Sequence, residues 1–160
     1  MDLSKILAIT GKPGLYKMVA QTKNGMVVES FIDGKKFTAF SHERISALEE
    51  ISIYTKDEDR PLKEILKAIH EKLEGKEALS HKSDGADLKA FFEDAVPDYD
   101  EENVYVSDIK KVIYWYNILL KNELLDFSEE EKKEEEGKED KKEEKPVKKA
   151  DTKTKEKKDQ

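Results

Sequence analysis

Three histidines in this sequence could in principle bind a metal or transfer a proton. His42, His70 and His81 are far apart in the chain and fall in different predicted elements. None belongs to an HxxxH or HxH pair, the spacings that bring two imidazoles to one face of a helix or strand. The sequence has no cysteine, which excludes disulfides, thiolate metal sites and cysteine nucleophiles. We therefore predict no metal site and no cysteine-based or histidine-based catalytic centre.

An acidic loop at Asp98–Glu102 could in principle bind calcium. An EF-hand that began at Asp98 would need glycine at its sixth position and glutamate at its twelfth, and these are Asn103 and Ile109. The loop at residues 11–14, Gly-Lys-Pro-Gly, lacks the spacing and the Ser/Thr of a phosphate-binding loop. No GxSxG elbow and no dinucleotide-binding glycine set is present. The sequence thus predicts a protein that is not an enzyme and needs no cofactor.

Charge is distributed unevenly along the chain, and this is the one feature that indicates a partner. Residues 1–48 carry seven basic and four acidic side chains, whereas residues 49–127 carry 11 and 20. Four basic residues of the first segment are candidate RNA contacts: Lys12, Lys35, Lys36 and Arg44. The alternative is ordinary solubilising charge, because RNA sites usually combine denser positive clusters with interleaved aromatic residues.

The first half of the chain has the pattern of a small antiparallel sheet. Residues 15–20, 26–32 and 35–40 are rich in β-branched and aromatic residues, and Asn24-Gly25 and Asp33-Gly34 separate them. These dipeptides tolerate positive φ at both central positions of a type I′ turn, so we predict two hairpins. Residues 50–55 are predicted as a further strand, and residues 5–10 as a short strand or helical turn. This strand count predicts a small SH3-like barrel.

The second half has the pattern of three helices. The first opens at residues 59–61, with Pro61 in its first turn, and ends at Gly75. The second spans residues 85–96, and the third begins after Ser107 as N-cap. Apolar residues of the first helix recur at helical spacing: Leu62, Ile65, Leu66, Ile69 and Leu73. Those of the third helix are Ile109, Val112, Ile113, Tyr116, Leu119 and Leu120, widened by Trp115 and Ile118, so we expect this helix to be the most buried.

Composition limits where the chain can be located. The net charge is -7, and beyond residue 127 the sequence is almost entirely Glu and Lys. Such a segment buries too little apolar surface to offset the entropy of ordering, so we predict a disordered tail. No apolar run is long enough to span a bilayer. The apolar stretch after the N-terminus is too short, and the first residues are too acidic, for a secretory signal. We therefore expect a cytoplasmic protein.

These patterns together predict an α+β protein in three parts. Residues 1–56 form the small β-barrel domain, residues 57–127 the helical domain, and residues 128–160 the disordered Glu/Lys-rich tail.

Several segments resemble a protein family of Bacteroidetes that carries only a domain-of-unknown-function label. They are residues 12–17, 33–37, 46–55, 61–64 and 107–117. The resemblance covers roughly residues 1–127, and it implies a bacterial cytoplasmic protein with a β-rich N-terminal domain and a helical C-terminal domain. It brings no reaction, cofactor or site residue. We therefore expect a binding or adaptor protein that acts through another protein, with an RNA- or ribosome-associated factor as the alternative.

Overall fold

In the computed structural model, which describes residues 2–127, the first half of the chain forms a five-stranded antiparallel sheet. Its spatial order is β4-β3-β2-β1-β5, so the fifth strand returns to pair with the first. The strands are β1 (Ile6–Ile9), β2 (Tyr16–Thr22), β3 (Gly25–Ser30), β4 (Lys36–Phe40) and β5 (Ile45–Ala47). A bulge between Met18 and Ala20 interrupts the β2–β3 register at Val19 and adds twist to this hairpin.

The sheet is curled, but a closed barrel is not confirmed. Edge strands β4 and β5 are not paired with each other in the described part of the chain. They are joined by residues 41–44 alone, a connection that reaches ~17 Å at full extension. Four strand spacings in a flat sheet would separate them by ~19 Å. The short connection therefore forces the sheet to bend, although β5 has three residues and pairs along β1 only.

Bending of the sheet buries a small apolar cluster on one of its faces. Its buried members are Leu7, Ile9, Tyr16, Val28 and Ala39, all from the sheet. Val28 and Ala39 are fully buried even though no helical residue belongs to this cluster. The strands must therefore cover it themselves, which is the role expected of a curled sheet.

Both predicted chain reversals are confirmed, but the predicted turn type is wrong. Register pairs Thr22 with Gly25, so Lys23 and Asn24 are the central residues of the first turn and neither has positive φ. Gly25 is required for a different reason, because an added Cβ would meet the carbonyl oxygen of Ala39 on β4. The second reversal is a five-residue loop in which Gly34 alone has positive φ, +71°.

The predicted strand at residues 50–55 is shorter than expected and does not join the five-stranded sheet. Residues Leu48–Glu50 form a 3₁₀ turn, and β6 (Ser52–Tyr54) pairs with β7 (Asp59–Pro61) in a separate two-stranded sheet. Residues 59–61 were expected to open a helix, but pairing with β6 holds them extended. The helix then begins one residue after Pro61, which has no amide hydrogen to donate.

The three predicted helices are confirmed, with shifted ends. They are α1 (Leu62–Lys72), α2 (Gly85–Ala95) and α3 (Val106–Lys121). Ser107 is not the N-cap of α3. Tyr105 takes this position, because the Asp108 carboxylate reaches back and accepts a hydrogen bond from the Tyr105 amide at 3.0 Å.

One large apolar cluster connects the sheet to the helices. It combines Leu3, Ile6, Leu15 and Leu48 from the first half with the buried faces of all three helices. Residues Met1–Phe127 accordingly form one compact unit. The cluster crosses residue 56, where we predicted a domain boundary, and the division into 1–56 and 57–127 stays a prediction. Within residues 2–127 no helix combines the length and apolarity needed to cross a bilayer. The predicted disordered tail lies outside the described residues.

Candidate functional site

A groove lies between β6 and α3. It consists of two adjoining cavities of about 250 and 280 Å³. Three residues line both cavities: Ile51, Lys111 and Trp115. The first cavity extends along β6 to Tyr54 and Val104, and the second extends to the β1–β2 loop at Lys12. We call this feature the β6–α3 groove.

One wall of the groove is the outer edge of β6, and contacts on both sides hold this strand in place. On the β7 side, the Leu62 amide donates to the Ile51 carbonyl at 2.8 Å. On the other side, the Asp100 amide donates to the Tyr54 carbonyl at 3.0 Å. The loop that carries Asp100 is anchored by an ion pair between Arg60 and Asp98, with Nη2 and Oδ2 2.8 Å apart. Strand β6 is therefore rigidly placed opposite α3.

The other wall is α3, whose orientation is fixed from the far side of the helix. The Tyr116 hydroxyl donates to the Lys76 carbonyl at 2.8 Å, and the Ala78 amide donates to Asn117 Oδ1 at 2.9 Å. These bonds hold the α1–α2 loop against α3. With Tyr116 fully buried on that side, Trp115 is directed to the groove, where its indole is half-buried.

The groove is amphipathic, with aromatic and aliphatic walls and few charges. Tyr54, at one end, is 54% exposed although it is a large apolar side chain. Asp108 is occupied by its hydrogen bond to the Tyr105 amide. Lys111 is exposed and has no acidic partner within 4 Å among the described residues. A half-exposed indole is typical of binding surfaces, where aromatic residues are enriched.

Of the four basic residues predicted as RNA contacts, Lys12 is partly buried and the other three are exposed. Lys12 forms an ion pair with Glu43 at 3.2 Å, and its ammonium group lies 4.1 Å from the centroid of the Phe37 ring. Arg44 follows Glu43 in the sequence, and its backbone carbonyl accepts a hydrogen bond from the Thr10 amide. Lys35 and Lys36 are exposed in the β3–β4 loop and at its end. Lys12 is therefore the one member of the four that lines the β6–α3 groove.

Three of the four aromatic residues in residues 2–48 pack in or against an apolar cluster. Tyr16 is buried, and Phe31 and Phe37 are half-buried. Phe40 differs, because it is 48% exposed and stacks on His42 with centroids 5.8 Å apart.

The acidic loop at Asp98–Glu102 stabilises itself and its surroundings through hydrogen bonds. The Asp100 carboxylate accepts from the amides of Glu102 and Asn103 and from Asn103 Nδ2 at 2.7 Å. The Asn103 hydrogen bond is the main cause that lowers the pKa of Asp100. Across residues 2–127 no group of three or more His, Asp or Glu side chains could hold a metal ion.

The surroundings of the His81 ring lower its pKa. Its ring lies against Tyr114 of α3, with centroids 4.1 Å apart. Burial lowers the pKa of His81 from its ordinary value of 6.5, and the charges of Lys82 and Lys110 lower it further. The folded protein therefore favours the neutral imidazole. The lowered pKa of His81 therefore makes stability depend on pH. The contribution of this group to the free energy of unfolding is complete above pH 6.5 and is lost as the pH falls below that value.

We expect an NMR titration of the His81 ring protons to give a midpoint below 6.5. The variant Tyr114→Ala removes the ring that shields His81, so the midpoint should rise toward the ordinary value. The variant Tyr105→Ala, which removes an exposed tyrosine outside this contact, is the control and should leave it unchanged. A midpoint at or above 6.5 in the unmodified protein would contradict the assigned burial.

Comparisons with known proteins divide the chain where β5 ends. A family model described as Domain of unknown function (DUF5606) matches residues 3–48, and one described as Domain of unknown function (DUF6852) matches residues 51–119. A solution NMR structure from Bacteroides vulgatus, determined by the Northeast Structural Genomics Consortium, is 40% identical with a TM-score of 0.67. The match covers 79% of this chain and 91% of that chain.

The chain belongs to an uncharacterised domain-of-unknown-function family of Bacteroidetes. The resemblance predicted from the sequence is thereby confirmed. The search among curated proteins found no match to the chain.

Sequence reasoning missed the β6–α3 groove. One signal was present: Trp115 and Ile118 make the apolar stripe of α3 wider than a single packing face requires. Ile118 is buried, whereas Trp115 is not, so the extra width at Trp115 belongs to the groove.

Proposed function

We propose that this chain is a non-catalytic bacterial protein that binds another protein in the β6–α3 groove. The observation that carries the proposal is the combination of exposed Tyr54 and half-exposed Trp115 along one concave surface. Aromatic side chains in a pocket with a polar rim supply most of the affinity in protein interfaces. The cytoplasmic location is part of this proposal and rests on the cysteine-free sequence.

The charged residues of the groove favour binding over catalysis. A catalytic acid or base would be a desolvated group within reach of the cavity. Asp108 instead caps α3, and Lys111 is exposed to solvent. Lys12 is engaged by Glu43 and Phe37.

Affinity capture from native lysate, followed by mass spectrometry, tests the proposal. The unmodified protein should retain a specific partner that the variant Tyr54→Ser loses, because this change removes an exposed aromatic wall of the groove. Phe40→Ser is the matched control, since Phe40 is similarly exposed but lies outside the groove. Equal recovery with all three proteins, or recovery of the isolated chain alone, would contradict the proposal.

The proposal extends to the sheet, which we interpret as a partly open SH3-like barrel. Support comes from the return of β5 to β1, from the short β4–β5 connection and from the apolar cluster that the strands cover without helices. Small barrels of this kind commonly serve as platforms for peptide binding. A high-resolution experimental structure tests it through the β4–β5 separation.

RNA binding through the basic residues of the sheet is the second proposed function. The favouring observation is that Lys35, Lys36 and Arg44 are exposed, with no acidic partner within 4 Å among the described residues. If the proposal holds, retention on RNA should fall steeply with salt and by about tenfold or more in the double variant Lys35→Glu/Lys36→Glu. The double variant Lys67→Glu/Lys89→Glu, on the helices, is the control for net charge. Unchanged retention after the Lys35/Lys36 exchange would remove this proposal.

A further inference from the structure

The outer edge of β6 has backbone groups that point into the groove. In a strand, the amide and carbonyl of one residue point to the same side, and those of the next residue point to the opposite side. The Ile51 carbonyl bonds to the Leu62 amide on the β7 side, whereas the Tyr54 carbonyl bonds to the Asp100 amide on the opposite side. Residues 52 and 54 therefore face away from β7. The amide and carbonyl of Ser52 lie at the edge that lines the first cavity.

Such an edge favours an extended ligand. A peptide that adds a strand gains main-chain hydrogen bonds from the edge and specificity from pockets for alternate side chains. Opposite the β6 wall, the cavity is lined by α3 and the loop before it: Asn103, Val104, Asp108, Lys111, Val112 and Trp115. An apolar side chain of an added strand would meet Val104, Val112 and Trp115.

The charge of the groove indicates which second side chain of an added strand should face α3. Lys111 lines both cavities and has no acidic partner within 4 Å in residues 2–127. The carboxylate of Asp108, the acid of the groove, already accepts a hydrogen bond from the Tyr105 amide. A ligand carboxylate is the group that complements this arrangement, because it neutralises an ammonium that residues 2–127 leave without an acidic partner.

We infer that the β6–α3 groove binds an extended segment of a partner protein, which pairs with Ser52 of β6 and places an acidic side chain on Lys111. This inference rests on the proposed function and specifies its ligand. The segment has an aliphatic residue and an acidic residue two positions apart, so that both side chains point to the α3 wall and the aliphatic one packs on Trp115.

Trp115 is the single tryptophan of the sequence, so its fluorescence reports binding directly. The probe is the peptide acetyl-Thr-Val-Thr-Asp-Thr-amide, in which the valine and aspartate side chains share one face of an extended strand, added to the full chain. We expect a saturable change in emission, and no such change with the peptide in which lysine replaces aspartate. Lys111→Glu should weaken binding by about tenfold, because attraction becomes repulsion. Lys110→Glu changes the same charge on the same helix outside the groove and should have little effect.

The strand pairing has its own test. Ser52→Pro removes the amide hydrogen at the edge, and the preceding residue Ile51 has φ -87° and ψ 134°, values that a following proline accepts. This variant should weaken binding by about tenfold, whereas Ser52→Ala, which keeps the amide, should not. Far-UV circular dichroism checks that both variants fold. If Ser52→Pro is unfolded, an N-methylated peptide added to the unmodified protein tests the other hydrogen bond of the pair, because it has no amide hydrogen to donate to the Ser52 carbonyl and should bind about tenfold more weakly.

The outcomes separate this inference from the proposed function. Equal affinity for the acidic and basic peptides, or no fluorescence change up to millimolar peptide, would overturn the inference. If Tyr54-dependent capture persisted in that case, the groove would bind a protein of different chemistry and the proposed function would stand. Unchanged affinity in both Lys111→Glu and Ser52→Pro would also overturn the inference.

Discussion

Replacement of Ile113 by aspartate should unfold much of the helical half of this protein. Ile113 is fully buried at the centre of α3, within the large apolar cluster. The substitution removes an aliphatic side chain and buries a carboxylate with no cationic partner arranged for it. We expect the free energy of unfolding, measured by urea denaturation, to fall by ~4 kcal/mol or more.

Two control variants separate the buried charge from other causes. Ser107→Asp places the same carboxylate on the exposed side of the first turn of α3, where the helix dipole favours it, and should change stability by less than ~0.5 kcal/mol. Ile113→Val removes one methylene and should cost ~1 kcal/mol. If Ile113→Asp proved no more destabilising than Ile113→Val, the assigned burial of α3 would be incorrect.

The second large effect is expected from Gly25→Ala. A Cβ at this position would meet the backbone of β4, with the Ala39 carbonyl oxygen nearest and Phe40 Cα at 2.9 Å. Backbone cannot rotate aside as a side chain can, so the β3–β4 pairing would have to open. We expect a loss of ~3 kcal/mol in the free energy of unfolding, together with faster amide exchange in β3 and β4.

Gly34→Ala is the matched control in the neighbouring turn. Gly34 has a φ of +71°, but an added Cβ would have no atom within 4 Å. The cost should therefore be the conformational strain of an L-residue alone, ~1 kcal/mol. Gly25 has no positive φ, so equal losses in the two variants would contradict the close contact of this position with β4.

The helices were predictable because their signal is repeated over several turns. In α1, the residues Leu62, Ile65, Leu66 and Ile69 are all fully buried, as their spacing predicts. One atypical residue cannot change a period that four others define. Helix ends depend on single interactions, which is why the hydrogen bond from the Tyr105 amide to Asp108 moved the start of α3 away from the predicted cap.

Turn and strand details were less predictable because they depend on what lies opposite. Asn24-Gly25 marks a reversal of the chain, but the register of β2 on β3 decides which residues occupy the centre of the turn. Residues 59–61 read as the opening of a helix, yet they pair with β6 and are extended. A local propensity of a few tenths of a kcal/mol is outweighed by hydrogen bonds to a neighbouring strand.

Residue types and their spacing were enough to predict the α+β class, two chain reversals and the buried stripes of the helices, and they show no recognisable catalytic motif. These properties follow from local periodicity and residue chemistry, which require no knowledge of distant contacts. The groove was decided by tertiary structure alone, because Tyr54 and Trp115 are far apart in the chain and meet only when β6 and α3 pack on the same cluster. A surface built from such distant residues has no periodicity in the sequence, so packing is what creates it.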